Sequence, residues 1–92
     1  MSKSILQDEK KCWVCGTTYN LHKHHIFGAG LRSTSEKNGL WIWLCAPHHN
    51  MSDEGVHFNA ELNRGIRVAC QSEYERTHTR AEWMALIGRN YL

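Results

Sequence analysis

The sequence lacks most features that mark membrane, secreted or fibrous proteins. It has a single proline among 92 residues, and it contains no internal repeat, linker or low-complexity segment. No apolar run reaches the roughly eighteen residues that a bilayer-spanning helix needs, and residues 1–11 lack the apolar stretch of a secretory signal. Net charge is only +2, too little for a polycationic coat on nucleic acid. We therefore expect a cytoplasmic protein without membrane partners.

The length of the chain suits one domain. Ninety-two residues bury a modest core, and domains of this size often depend on metals or disulfides for stability. Because thiols stay reduced in the cytosol, cysteines close in sequence are interpreted first as metal ligands. We predict one domain over residues 1–92, with a lead-in at 1–11, a metal-bearing core at 12–57 and C-terminal helices at 58–92.

Residues 20–46 have the pattern of a β-hairpin. The aromatic and branched segment 40–44 follows the turn signal Asn38-Gly39, and residues 20–26 are its predicted partner strand. Residues 27–39 between them contain Gly28 and Gly30 and are predicted to form a long functional loop that carries Arg32 and Lys37. The segment therefore predicts two strands joined by a loop.

Helices are predicted after the hairpin. Pro47 suits the first turn of a short helix over residues 48–53, and the apolar spacing from Phe58 to about residue 74 predicts a second helix. Thr79 with Glu82 has the spacing of a capping box, and Gly88 suits the end of a last helix. The predicted class is therefore α+β.

Two short pairs predict a structural zinc site. Cys12 and Cys15 are separated by two residues, and Cys45 and His48 repeat this spacing about thirty residues later. Three thiolates and one imidazole suit tetrahedral zinc. Because all four positions are filled by protein, we expect this Zn²⁺ to stabilise the fold and to do no chemistry. Cys70, alone on a helical stripe, is interpreted as a core residue.

Further histidines remain beside this site. The chain has seven histidines, and once His48 is assigned to zinc, the candidates for a second site are His24, His25, His49 and His57. A lone histidine is more often structural than catalytic. Here the histidines form a pattern, in which Cys-x2-Cys is followed by His-His-Ile and then by Leu-Cys-x2-His-His-Asn.

This pattern over residues 12–50 resembles the zinc-containing branch of the HNH endonuclease family. The segments His-His-Ile-Phe-Gly and Gly-Val-His-Phe-Asn are similar to phage-type members, including recombination-enhancement nucleases. The resemblance implies a ββα-metal fold, with a hairpin and a helix around one catalytic divalent metal. It also implies hydrolysis of DNA phosphodiester bonds in a phage or prophage context.

The resemblance assigns roles to individual residues. It makes His25 the general base and His24 and His49 ligands of the catalytic metal, with Asp53 or His57 as the third ligand. The metal is expected to be Mg²⁺, Mn²⁺, Ni²⁺ or Zn²⁺. The family's middle asparagine falls at Leu40 here, so its part is either taken by Asn38 or missing. Asn50 and Asn59 are further site candidates.

Substrate contacts are predicted from the cations. Lys23, Arg32 and Lys37, and also Arg64 and Arg67, are predicted to contact flanking phosphates without reading bases. The expected partner is duplex or branched DNA, with RNA as an alternative, and a homodimer or a phage or recombination protein is a further expected partner. Trp41 and Trp43 share a strand face and are predicted to be core residues.

Two other interpretations of the histidines are open. The domain could be a zinc-stabilised module that binds nucleic acid or protein without catalysis, since fold does not guarantee function. Alternatively, His24, His49 and His57 could complete a second structural zinc site. Both alternatives keep the Cys12–His48 zinc site and differ only in what the remaining histidines do.

Overall fold

A two-stranded sheet and three α-helices make up the described parts of the chain. The computed structural model describes residues 3–51 and 59–92, with only the backbone given at residues 50 and 51. Strand β1 spans Leu21–His25 and strand β2 spans Trp41–Cys45. Helices α1, α2 and α3 span Arg32–Asn38, Ala60–Tyr74 and Arg80–Ile87. Short helical turns at Ala29–Leu31 and Pro47–Met51 complete the order.

The two strands form the predicted antiparallel hairpin. His24 pairs with Ile42 and His25 pairs with Trp41. Because side chains alternate between the faces of a strand, His24 and Ile42 belong to one face and His25 and Trp41 to the other. Ile42 and Leu44 are fully buried on the first face, which is the face that the core covers.

The predicted long loop between the strands is wrong, because most of it is helical. After a 3₁₀ turn at Ala29–Leu31, α1 runs to Asn38 and ends at Gly39, whose φ of 71° is left-handed. Residues 32–38 include no proline or glycine, so nothing opposes a helix there. The buried Ser35 fixes the helix by donating to the carbonyl of Phe27 at 2.7 Å. Arg32 and Lys37 therefore lie on a helix.

The N-terminal segment packs along β2. The Ile5 amide donates to the Gly39 carbonyl at 2.9 Å, and the Trp43 amide donates to Oε1 of Gln7 at 2.7 Å. These hydrogen bonds provide partners for backbone groups along the outer edge of the hairpin. The segment also lies over Trp41 and Trp43, whose rings form an edge-to-face pair 5.5 Å apart.

The prediction for Trp41 and Trp43 was therefore only half right. Trp41 is buried, but neither ring belongs to the main core cluster. Lysine side chains cover both rings instead, with Nζ of Lys23 at 4.1 Å from the Trp41 ring centre and Nζ of Lys10 at 4.6 Å from that of Trp43. The alternation of side chains along a strand predicts which residues share a face, but it does not predict which element packs over that face.

Helices α2 and α3 cover the other face of the hairpin. Ile66 and Cys70 of α2 and Trp83 of α3 are fully buried in one cluster with Ile42 and Leu44. The ring of Trp83 contacts the rings of Phe27 and Tyr74, each at a centre-to-centre distance of 5.5 Å. Burial of a large apolar side chain contributes roughly 1.5–3 kcal/mol of stability. This small cluster therefore contributes much of the stability of the fold.

The ends of α3 agree with the sequence prediction. Thr79 and Glu82 form the reciprocal capping box, and Gly88 ends the helix with a left-handed φ of 86°. Helix α2 begins two residues later than the predicted start at Phe58, which lies outside the described residues, and its N-cap is Asn59, whose side chain accepts from the Leu62 amide at 3.0 Å. Local capping chemistry thus sets both boundaries.

Helices and an antiparallel hairpin together make the fold α+β, as predicted. Among residues 3–51 and 59–92, none of the helices has the length and apolarity required to cross a membrane.

Gly39→Ala is expected to lower the free energy of unfolding by about 1–3 kcal/mol, because alanine at a left-handed φ is strained. A Cβ at this position would also collide with the backbone carbonyl of Lys3. The control is Gly65→Ala within α2, where a Cβ meets nothing and a gain of about 0.5–1 kcal/mol is expected. Urea unfolding measures both values. A Gly39→Ala protein as stable as wild type would contradict this packing.

Candidate metal centre and adjacent histidine cleft

The first half of the metal centre is the turn that follows the lead-in. The Gly16 amide donates to the Cys12 carbonyl at 2.8 Å, and the Cys12 amide donates to the Thr17 carbonyl at 2.8 Å. Gly16 has a φ of 78°, which favours glycine. The Trp13 amide donates to the Trp43 carbonyl at 2.8 Å. The turn is therefore closed on itself and attached to β2.

The second half comes from the end of β2. Cys45 is the last residue of the strand, and His48 lies in the helical turn Pro47–Met51 that follows. The Ala46 amide donates to the Asn20 carbonyl at 2.9 Å, which holds this junction beside the start of β1. The hairpin therefore delivers Cys45 and His48 to the Cys12 turn.

The four predicted ligands come together. The Sγ atoms of Cys12, Cys15 and Cys45 and a ring nitrogen of His48 all lie within 4.8 Å of one another. The Cys15 and Cys45 sulfurs are 3.7 Å apart, and Nδ1 of His48 is 3.1 Å from Cys45 Sγ and 3.7 Å from Cys12 Sγ. A tetrahedral zinc with Zn–S bonds of about 2.3 Å needs sulfurs about 3.8 Å apart. This cluster could therefore hold a metal ion such as zinc.

The thiols of this cluster have unequal proton affinities. Burial opposes ionisation of Cys12, but hydrogen bonds from the backbone of Cys45, Cys15 and Val14 outweigh it and lower the pKa of Cys12 to about 6. Burial raises the pKa of Cys45 to about 11. A thiolate at Cys12 gives a cation its first charged ligand.

Cys70 belongs to a different environment. It is fully buried in the apolar core, and burial raises the pKa of its thiol to about 12. It is thus a protonated core residue, as its position on the helical stripe of α2 predicted.

A second group of histidines lies on the core face of the hairpin and on the turn after it. Nδ1 of His22 is 3.0 Å from Nδ1 of His49, and the ring of His49 is centred 5.1 Å from His22 and 5.3 Å from His24. His49 thus contacts both strand histidines. His49 directly follows the candidate metal ligand His48, so the two groups share the turn Pro47–Met51.

His25 faces the opposite side of the strand and contacts an acid on α1. Its Nε2 lies 3.3 Å from Oε1 of Glu36. The same carboxylate accepts two hydrogen bonds of 2.9 Å from Nζ of Lys23. The hydrogen bond from Lys23, with a smaller one from His25, lowers the pKa of Glu36 below its ordinary 4.5. Glu36 is therefore ionised at neutral pH and holds the ring of His25 in place.

Glu36→Gln is expected to flatten the acid side of the stability curve. A carboxyl whose folded pKa lies below its ordinary 4.5 stabilises the fold above that pH and loses this contribution as pH falls through the lowered value. Urea unfolding between pH 6 and pH 3 measures the difference from wild type. The control is Glu9→Gln, which removes a carboxylate from an exposed side chain. Protonation of the cysteine and histidine metal ligands at low pH affects all three proteins alike, so it does not account for a difference between them. Parallel curves for wild type and Glu36→Gln would count against this ion pair.

One open cleft brings His24 and His25 together. It has a volume of about 380 Å³, and its polar lining residues are His24, His25, Asn63 and Arg67. Adjacent residues of a regular strand face opposite sides, but β1 ends at His25, so both residues border the cleft at the strand end. Helix α2 supplies the opposite wall.

The other predicted site residues have various places. Arg32 and Lys37 are exposed on α1, and Lys23 is ion-paired with Glu36. Nδ2 of Asn38 donates to the Thr34 carbonyl at 2.8 Å, so this amide bonds within α1. Asn59 caps α2. Asp53 and His57 lie outside the described residues, as does the side chain of Asn50.

Two residues of this region were not selected from the sequence. His22 has the i, i+2 spacing to His24 that places both on one strand face, so its place beside His24 could have been anticipated once the strand was assigned. Glu36 has no such local signal, because its contact with His25 depends on where α1 packs.

The comparisons with known proteins found no matching family model, no matching curated protein and no matching solved structure.

Proposed function

We propose that this protein is a metal-dependent endonuclease of the HNH type that hydrolyses phosphodiester bonds of DNA. The observation that carries the proposal is the single open cleft that His24 and His25 share with Asn63 and Arg67. A proton acceptor, a metal ligand and a fixed cation are the groups that phosphodiester hydrolysis requires. The resemblance of residues 12–50 to the HNH pattern supports the same assignment.

The Cys12, Cys15, Cys45 and His48 cluster has a structural part in this proposal. Its four protein ligands leave zinc no open position for substrate. It joins the N-terminal turn to the end of the hairpin, and it fixes the turn that carries His49. Zinc bound by His48 thus orients the adjacent proposed metal ligand, His49.

His25 is the proposed general base. A hydrogen bond from Nε2–H to the ionised Glu36 selects the tautomer in which Nδ1 has the free lone pair. Nδ1 then takes a proton from the attacking water while Glu36 stabilises the imidazolium that forms. Arg67 on the opposite wall stabilises the charge that builds up on the phosphate oxygens.

His24 and His49 are the proposed ligands of the catalytic metal, and Asp53 or His57 remains the proposed third ligand. When bound, the metal supplies Lewis-acid stabilisation of the phosphate and of the leaving oxygen. Imidazole ligands suit zinc and nickel, whereas added carboxylate and water ligands suit magnesium and manganese. His22, which contacts His49 at 3.0 Å between Nδ1 atoms, holds the His49 ring in position.

The proposal is tested by cleavage of supercoiled plasmid with the purified, zinc-loaded protein. Reactions without added metal are compared with reactions containing Mg²⁺, Mn²⁺ or Ni²⁺, after zinc content and folding are verified. Nicked and linear products are expected only with an added metal. A folded protein that cuts neither DNA nor RNA with any of these metals would overturn the proposal and favour a binding module without catalysis.

A further inference from the structure

A second cleft adjoins the histidine cleft and is lined by arginines. Its volume is about 230 Å³, and its basic lining residues are Arg64, Arg67 and Arg89. Asn63 and Arg67 line both clefts, so the two form one continuous surface. We refer to the part lined by Arg64, Arg67 and Arg89 as the arginine trough. It leads away from His24 and His25 across α2 toward the C-terminal segment.

Among the residues that the structure describes, none forms an ion pair with the three cations of the arginine trough, Arg64, Arg67 and Arg89. No aspartate or glutamate is among the residues that line either cleft in the described parts of the chain. Elsewhere, Arg76 and Arg80 pair with Glu73 and Glu75. Like charges repel one another when grouped, so a bound anion would stabilise this grouping.

Arg67 has the most constrained place in the trough. Its guanidinium lies 5.3 Å from the ring centre of Phe27 and 5.6 Å from that of Tyr91. Its Nε is buried and has no hydrogen-bond partner among the described residues. A guanidinium held between two rings keeps its planar terminal N–H groups in one orientation, which suits recognition of a phosphate.

The C-terminal wall of the trough is fixed by a buried side chain. Oε1 of the fully buried Gln71 accepts from the Tyr91 amide at 2.7 Å, and its Nε2 donates to Oδ1 of Asn90 at 2.8 Å. Nε1 of Trp83 donates to the Arg89 carbonyl at 2.7 Å. Arg89 is thus held beside α2 by bonds from the core, which reduces the entropy lost on binding.

We infer that the arginine trough binds the phosphodiester backbone of the nucleic acid beside the bond that is cut. This inference rests on the proposed function for the identity of the ligand, because a nuclease cleft places the scissile phosphate at His24 and His25. Arg67, which lines both clefts, then contacts the scissile phosphate, and the phosphates next to it lie along Arg64 and Arg89. Backbone contacts of this kind fix the register of the substrate without reading its sequence.

The test measures binding, not cleavage. A fluorescein-labelled single-stranded DNA 12-mer is titrated by anisotropy with zinc-loaded protein and no other divalent metal, at several salt concentrations. The wild type is compared with the Arg64→Gln, Arg67→Gln, Arg89→Gln triple variant. Loss of three phosphate contacts is expected to reduce the slope of log K against log salt by about 2, at about 0.7 per contact on single strands. The control is Arg76→Gln with Arg80→Gln, which removes two paired arginines and is expected to leave the slope unchanged.

Three results would overturn the inference. One is an unchanged slope in the folded triple variant, and another is an equal loss in the control. The third is displacement of the 12-mer by inorganic pyrophosphate at the same phosphate concentration, which would show a small-anion site instead. Arg67→Lys, which keeps the charge and loses the planar group, is expected to keep the slope and weaken binding. Failure of the nuclease proposal gives a different result. In that case the wild type still binds DNA through the arginine trough but does not cleave it.

Discussion

Cys45→Ser is expected to abolish both zinc binding and cooperative unfolding. Structural zinc sites in small domains contribute apparent binding free energies of about 10–16 kcal/mol, whereas a domain of this size has a total stability of about 5–15 kcal/mol. Cys45 is buried at 4% exposure, and its sulfur lies 3.7 Å from that of Cys15 and 3.1 Å from Nδ1 of His48. Without it the remaining cluster has three ligands, and the turn at Cys12 loses one of its two attachments to β2, the other being the Trp13–Trp43 hydrogen bond.

The matched control for this experiment is Cys70→Ala. Cys70 is also buried, but it lies on α2 and is not among the four residues that form the metal cluster. Its loss is expected to reduce stability modestly through a small cavity and to leave one zinc per chain. Metal analysis and thermal unfolding by circular dichroism measure both effects. A wild-type protein without zinc, or a Cys45→Ser protein that keeps it, would disprove the assignment of this site.

His25→Ala is expected to reduce plasmid cleavage by about 10²–10⁴-fold, the usual contribution of a positioned general base. His25 is among the residues that line the open cleft, and its ring is oriented by Glu36 at 3.3 Å. It is no part of the core cluster, so removal of the imidazole is expected to leave the fold and the zinc content intact. The loss should therefore appear in the catalytic rate at saturating DNA.

The control for His25→Ala is the same substitution at His78. That ring stacks on Tyr74 with centres 4.0 Å apart in the turn between α2 and α3, and it borders neither the histidine cleft nor the arginine trough. Its loss is expected to leave the cleavage rate within about twofold of wild type. A His25→Ala protein that cleaves at the wild-type rate with the same metals would exclude His25 as the base.

Local patterns predicted a large part of the fold. The strands, the capping box at Thr79 and the last helix were all anticipated within a residue or two, because each depends on neighbours in the sequence. Residues 27–39 were not, since three glycines and three serine or threonine residues are compatible with either loop or helix. The hydrogen bonds between the Ser35 hydroxyl and the backbone of Phe27 stabilise the helix.

The candidate site shows the same division. Cys12, Cys15, Cys45 and His48 were predicted as ligands from spacing, and the structure brings all four within 4.8 Å. The contacts of His25 with Glu36 and of His22 with His49 connect residues 11 and 27 positions apart. No local pattern encodes such a pair, because it depends on where separate elements pack.

The sequence by itself therefore determined the composition of the candidate metal centre and the ends of the two strands and of α3. Ligand spacing, capping and strand alternation act over a few residues, where covalent geometry limits the choices. Only the tertiary structure decided which side chains share a cleft. Arg89 joins Arg64 and Arg67 because Gln71 and Trp83 hold the C-terminal segment against α2, and burial of the core selects that arrangement from the many that the chain could adopt.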